Sequence, residues 1–503
     1  MTIRNFTLLI ISVLLAATLL PAKDAGMKFT EMPSAASPLI TFRVIIRAGA
    51  INDPAGKEGL NALTAEMIAQ GGTKELTYTQ VVDKMYPWAA GINANSDQEV
   101  TTFIGNVHRD NLDAYYKLIS SLLLQPRFDP ADFQRIKDMQ INYLKNTLRS
   151  TNDEALRKQT LNTMIYAGHP YGKTEAGTVQ GITSITLEDV KAYYAKTYTQ
   201  ANIWIGIAGG YPATLVETMR KDFAALPAGQ PNTVTLASPP QVSGMEVTVV
   251  EKPTRAYAVS MGYPVSVTRK DKDFYPLLVA GSYFGEHRSF NGVLMNRLRG
   301  DRGLNYGDYA YVEKFVGGLG QPPFPNLNTP LRQQFFSIWL RPMPPDRTLF
   351  GIRDALFELK NLVEKGLSKE DFEQTRKFVL NYSKLWAATA SRRLGYKMDS
   401  EFYGSEYYID RIDQELKTMT VEDVNAAIKK YLNPDNIKIA VVVDEGKGQA
   451  FLSSMISNAP SPITYQSPVG QSILDQDKLI QTFTLTINKD KSVVVNAKDL
   501  FEK

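Results

Sequence analysis

A chain of 503 residues is too long for one ordinary domain, and 44% apolar against 21% charged residues is a globular composition, not a disordered one. With 56 basic and 52 acidic residues the formal charge is only +4, which gives no footing for nucleic-acid binding through a concentrated basic surface. The lack of any cysteine excludes disulfides, thiolate metal sites and cysteine nucleophiles.

In chain order, residues 1–22 read as an export signal. Arg4 supplies the positive start, residues 6–20 form an uncharged apolar core, and Lys23 and Asp24 end it. Ala22 or Ala25 precedes a cleavage point, although Leu20 is bulky where a small residue is preferred. A retained membrane anchor is the rival reading, but the apolar run falls short of the ~20 residues that cross a bilayer. No later segment is long and apolar enough to span. The mature chain is therefore expected to be exported, to the periplasm, with no membrane span.

Residues 39–47 read as a strand. Residues 49–73, GAINDPAGKEGLNALTAEMIAQGGT, hold a turn-rich loop and then a helix from Gly59, along which Leu60, Leu63, Met67 and Ile68 recur with core-facing spacing. GINANSDQEVTTF, from Gly91, reads as an edge strand protected by Asp97 and Glu99. Residues 128–145, FDPADFQRIKDMQINYLK, are echoed at 367–384 by LSKEDFEQTRKFVLNYSK. A second pair follows them, TLEDVKAYYAKTYTQANIWIGIAG from Thr186 and TVEDVNAAIKKYLNPDNIKIAVVV from Thr420. In each, the threonine is suited to cap a helix, and a turn with Asn202 or Asn436 leads into a β-rich run. The repeat is far longer than a solenoid unit, so it marks a duplicated domain.

The halves are residues 36–229 and 242–448, joined by a polar, proline-containing linker at 230–241. Strands at 39–47 and 246–251 precede several helices, and a strand like 203–208 closes each half. This order predicts an α+β fold of two duplicated α/β-sandwich halves, each a sheet with helices on one face. In the C-terminal tail, residues 449–503, TFTLTI, NKDK and SVVV read as a small hairpin.

The layout of residues 49–73 (glycine loop, Asp-Pro, Gly-Leu, amphipathic helix, Gly-Gly-Thr) resembles the pitrilysin/insulinase family of zinc metallopeptidases. The resemblance runs from about Leu39 to Val443. It implies a sandwich of the LuxS/processing-peptidase-like type. Those enzymes carry His-x-x-Glu-His on this helix, which puts two ligands and a general base on one face. The matching positions here are Ala62, Ala65 and Glu66. The family's third ligand, a glutamate on a later helix, matches residues 138–144, where the chain reads DMQINYL, and no glutamate occurs between Val100 and Asp153. Alanine has no lone pair, and a catalytic zinc needs about three protein ligands plus water. No metal, no cofactor and no catalytic residue is therefore expected on this chain. His108, His169 and His287 stand isolated and read as surface or hydrogen-bonded histidines, His169 within a GHPYG turn like one of the family.

The resemblance also implies substrate contacts. NRLRGDRGLNYG, residues 296–307, resembles the family's Leu-Arg-x-x-x-Gly-Leu-x-Tyr element, and assigns substrate binding to Arg299 and Tyr306. Arg offers a charged fork to a peptide carbonyl and Tyr a neutral donor. The alternative is a structural ion pair for Arg299 and packing under a loop for Tyr306. Asn93, Ala94, Asn95 and Ser96 match an edge strand to which extended peptides add in the family. The function implied first is a non-catalytic subunit of an exported heterodimeric zinc peptidase, supplying Arg299 and Tyr306 to a homologous partner that carries the zinc. The alternatives are a peptide-binding clamp or scaffold without proteolysis, and an independent peptidase with an unconventional site.

Overall fold

The computed structural model describes residues 26–286, 292–315 and 323–503. The expected export signal at residues 1–22 and His287 lie outside the described residues.

Runs rich in β-branched residues, such as LITFRVII and IKIAVVV, build two sheets. The first contains β1 (Lys28–Pro33), β2 (Leu39–Ile46), β3 (Gly91–Ser96), β4 (Thr101–His108) and β5 (Ile203–Gly209), in the order β1-β5-β2-β4-β3. β1 is parallel to β5, and the other neighbours are antiparallel. The second contains β6 (Met245–Glu251), β7 (Tyr257–Val265), β8 (Asp308–Tyr311), β9 (Gln334–Met343), β10 (Ile437–Val443) and β11 (Val493–Asn496), in the order β11-β6-β10-β7-β9-β8. Without β11, its strands repeat the order and directions of the first sheet: β6 is parallel to β10, and β10, β7, β9 and β8 alternate in direction. The threonine of each TxEDV segment caps its helix. Thr186 accepts from the Asp189 amide at 3.2 Å and Thr420 from the Asp423 amide at 3.3 Å, and each aspartate returns the bond.

β5 and β10 are buried along their whole length because each sheet is covered on both faces. One face takes helices of its own half, among them Leu112–Leu124 on the first sheet and Phe274–Gly285 on the second. The other face takes a helix from the opposite half. Helix Ala390–Tyr403 sets Leu394 and Met398 against Ile45, Trp204 and Ala208 of the first sheet. Helix Asp153–Ile165 sets Leu161 and Ile165 against Phe335 and Ala440 of the second. Gly206 permits this close approach, since a Cβ there would collide with the Met398 sulfur. Helices on one face thus describe each half taken alone. The continuous apolar runs of β5 and β10, in place of in–out alternation, are the trace of the second cover.

Two segments depart from expectation. β1 lies upstream of residue 36, where the first half was expected to begin. The tail forms no hairpin: TFTLTI makes only a single bridge, Ile487 with Met245, and the SVVV run adds to β6 in parallel, Val494 opposite Val249. The edge of β6 takes up both runs, Ile487 at Met245 and Val493–Asn496 from Thr248 on, so they do not pair with each other.

Candidate functional site

The helix matching the family's zinc motif is Leu60–Gln70. Gly59 precedes it at φ 103°, a left-handed conformation that glycine adopts without strain. The Asp53 carboxylate accepts from the Gly59 and Asn61 amides, both at 2.7 Å, and satisfies two donors of the first turn. Burial lifts the Asp53 pKa to about 7 against these two bonds and the nearby Lys173. Leu60, Leu63 and Met67 pack on Phe133, Ile136, Val190 and Tyr193, while Ala65, Ile68 and Ala69 join the core beneath the first sheet. The remaining face carries Ala62, Glu66 and Gln70, all half-buried.

These residues do not fit a zinc ion. Ala62 and Ala65 offer no donor atom, and Ala65 is sealed in the sheet core. Glu66 is the single carboxylate of the trio; burial raises its pKa, and its Oε2 accepts from Gln70 Nε2 at 2.6 Å. The third-ligand region spans the end of helix Pro130–Asn142 and the start of a π-helical segment, Tyr143–Thr151. There Gln140 Nε2 donates to Gly59 O at 3.1 Å and Ala176 O at 2.7 Å, and Leu144 is wholly buried. Among the described residues no group of three or more His, Cys, Asp or Glu is placed to hold a metal ion. His108 lies at the surface beside Asp110, 3.1 Å away. The buried His169 accepts from the Tyr171 amide at 3.1 Å through Nδ1, which leaves Nε2–H to donate to Ala237 O at 3.0 Å.

β3, with Asn93, Ala94, Asn95 and Ser96, is the outer strand of the first sheet and pairs only with β4 among the described residues. It is tied to the motif helix by Asn61, whose Nδ2 donates to Ser96 Oγ and, at 2.9 Å, to Thr101 Oγ1. Asn93 and Asn95 point outward and are exposed. The structure therefore brings β3 together with Ala62, Ala65 and Glu66. Asp97 and Glu99 are not exposed guards of the strand, as their sequence position implied. Both are buried against the second half, Asp97 bonded by Lys314 Nζ at 2.9 Å and Glu99 by Arg332 Nε at 2.8 Å. These four charges hold the end of β3 against the other half, and no local pattern marks them.

Arg299 and Tyr306 lie elsewhere. Arg299 is exposed on the π-helical segment Met295–Asp301, with Nη1 3.8 Å from Met295 Sδ and no ion pair among the described residues. Tyr306 is 81% exposed in the following loop. Neither shares a hydrogen bond or ion pair with the motif helix or β3 among the described residues. The loop itself is pinned: Asn305 Nδ2 donates to Asp308 Oδ1 at 2.7 Å and to Arg341 O at 3.1 Å, and its Oδ1 accepts from the Gly307 amide at 2.9 Å.

Residues 32–179 match the insulinase family (peptidase family M16), and residues 184–379 match the peptidase M16 inactive domain. A non-peptidase homolog, YmxG, of Helicobacter pylori is 22% identical over 423 residues, which span 82% of this chain and 90% of that protein. A probable mitochondrial-processing peptidase subunit beta of Arabidopsis thaliana is 23% identical over 265 residues, 52% of this chain and about half (49%) of that protein's length. The crystal structure of a peptidase M16 inactive domain from Pseudomonas fluorescens shares the fold, with a TM-score of 0.73 at 20% identity, over 89% of this chain and 98% of that one. The chain belongs to the insulinase (M16) family, as a member in which Ala62, Ala65 and Glu66 stand at the zinc-motif positions.

Proposed function

We propose that this chain is the non-catalytic subunit of an exported, periplasmic, heterodimeric peptidase, and that it presents Arg299 and Tyr306 to substrate held by a homologous, zinc-bearing partner. The observation that carries this reading is an asymmetry between the two halves. The zinc-motif positions on the first half hold two alanines and a carboxylate already bonded to Gln70, whereas Arg299 and Tyr306 are exposed on a loop pinned at Asn305. A guanidinium and a phenol held this way offer a charged fork and a neutral donor to a peptide carbonyl. The outer edge of β3, with Asn93 to Ser96, supplies a second means of holding an extended peptide, through backbone hydrogen bonds. The repeated strand order of the two sheets supports reading residues 36–229 and 242–448 as a duplicated pair of sandwich domains, with 230–241 as linker and 449–503 as an added tail.

The test is reconstitution with a homologue that carries His-x-x-Glu-His. The mixed complex should cleave peptides, and Arg299→Ala with Tyr306→Phe should abolish turnover while assembly persists. Full turnover by the double variant would sink the assignment. A second reading, a peptide clamp without proteolysis, is favoured by a relative named a non-peptidase homolog and by the open edge of β3. It requires peptide binding by the lone chain, and no zinc-bearing homologue should co-purify with it.

A further inference from the structure

The tail, residues 449–503, lies beyond both matched family segments, and it touches both halves. On the second half it is organised by Arg353, wholly buried on helix Pro345–Lys365. Its Nη1 donates to Ala459 O at 2.9 Å, Ser461 Oγ at 2.8 Å and Gln481 O at 2.7 Å. These bonds close the tail into a loop and seat helix Gln471–Ile480 beside the Arg353 helix. Asp477 on that helix then accepts from Arg302 Nε at 2.9 Å and from Tyr465 OH at 2.6 Å, and Gln476 Oε1 accepts from Arg302 Nη2 at 3.2 Å. Arg302 also donates Nη1 to Arg297 O at 3.0 Å, and its side chain is fully buried. It sits between Arg299 and Tyr306 in the sequence, so a tail carboxylate fixes the loop that displays them.

The other end of the tail reaches the first half. After β11, Ala497 and Phe501 pack with Leu144, Leu148, Leu156 and Ile182. The Val179 amide donates to Phe501 O and the Gln180 amide to Glu502 O, both at 2.9 Å, and Arg149 Nη2 donates to Glu502 Oε2 at 2.9 Å. Leu144, Leu148 and Arg149 belong to the π-helical segment Tyr143–Thr151, which continues the third-ligand region. π-Helices are rare and appear mostly as single turns inside α-helices. A segment this long needs tertiary support, and the tail is part of that support.

We propose that residues 449–503 act as a clasp, which fastens the second half to the first and holds both the Arg299–Tyr306 loop and the π-helical segment Tyr143–Thr151 in place. Its functional meaning rests on reading Arg299 and Tyr306 as substrate-facing; its mechanics do not. The test is amide hydrogen exchange, followed by mass spectrometry, on the full chain and two variants without added peptide. Asp477→Asn should speed exchange across residues 302–307 by about tenfold and leave residues 143–151 unchanged. Removal of residues 497–503 should speed exchange at 143–151, Val179 and Gln180 by about tenfold or more. Should the truncated chain fail to fold, Phe501→Ala in the full chain gives the same readout. Unchanged exchange at both ends overturns the clasp. Faster exchange in a chain that binds no peptide and supports no turnover upholds the clasp and removes the functional reading.

Discussion

Replacing Lys314 with methionine removes the one ammonium that two carboxylates share between the halves. Lys314 Nζ lies 2.9 Å from Asp97 Oδ2 and 2.6 Å from Glu175 Oε1, and the three side chains are 11%, 5% and 23% exposed. Burial works against the ammonium, the two carboxylates outweigh it, and its pKa stands above the ordinary lysine value. Burial pushes Asp97 up against the pull of Lys314, while Glu175, also raised by burial, is brought below its ordinary value by the closer ammonium. Methionine keeps much of the volume and none of the charge. The loss is that of breaking a buried pair from one side, about 3–5 kcal/mol. At about 2–4 °C per kcal/mol for a cooperative unit of about 150–250 residues, melting falls by roughly 6–20 °C. The pH dependence has a definite sign. Without the ammonium Asp97 moves further up and Glu175 loses the main pull that held it down against burial, so above about pH 4 the unfolded chain releases their protons before the folded chain does. Stability is then lost as pH rises through the raised folded-state values, and the deficit against the parent is larger at about pH 8 than at about pH 5. Thermal unfolding of Lys314→Met, Asp97→Asn and the double variant at both pH values closes a mutant cycle, in which the double variant should lose less than the two single losses added. A Lys314→Met loss below about 1 kcal/mol, the range of an exposed pair, with no pH trend, would refute the claim that this contact locks the halves.

Gly206→Val drives a side chain into the Met398 sulfur where the helix of one half crosses the sheet of the other, and should cost about 1–3 kcal/mol or more in urea unfolding. An unshifted midpoint would show that this crossing is loosely packed. Asp53→Ala removes the acceptor of the Gly59 and Asn61 amides and should cost about 0.5–2 kcal/mol. Because burial lifts Asp53 to about 7, the parent loses part of this contribution as pH rises from the unfolded value through 7. The gap between parent and variant therefore narrows with rising pH, and a gap that widens contradicts the assignment. Ala62→His combined with Glu66→His restores two imidazoles one helical turn apart but no third ligand, so elemental analysis after dialysis against a chelator should find no retained zinc. Stoichiometric zinc would mean that a donor outside residues 138–144 completes the site.

Most of what lies within a few residues of its own signal could be read directly. The apolar runs of β2, β5, β6 and β10, the threonine caps at Thr186 and Thr420, and the helix from Leu60 all depend on local pattern. The missing ligand at Ala62 and the missing base at Ala65 needed only side-chain chemistry. The contacts between halves were beyond reach for a physical reason: Asp97 and Lys314 are 217 positions apart, Glu99 and Arg332 are 233, and an acidic residue at a strand end looks alike whether it meets water or a distant lysine. The β-branched run SVVV likewise says that a strand forms, but not which edge receives it, and the edge of β6 won over TFTLTI. Gln140 shows most clearly what absence of a motif cannot tell. Read as one residue of a region without glutamate, it carries no message; in the fold its amide ties the start of the motif helix at Gly59 to Ala176. Leu144 fills the core that Phe501 closes, and Ala65 is sealed beneath the sheet. Ala62 and Glu66, the ligand positions that the resemblance implies, stay half-buried, while packing at Ala65 and Leu144 and the Gln140 struts stabilise the first half around them. Arg299 and Tyr306 have taken on no such duty. Exposing a guanidinium and a phenol on a loop held by Arg302 and Asn305 does nothing for the core, which is why the proposed function assigns them to a peptide.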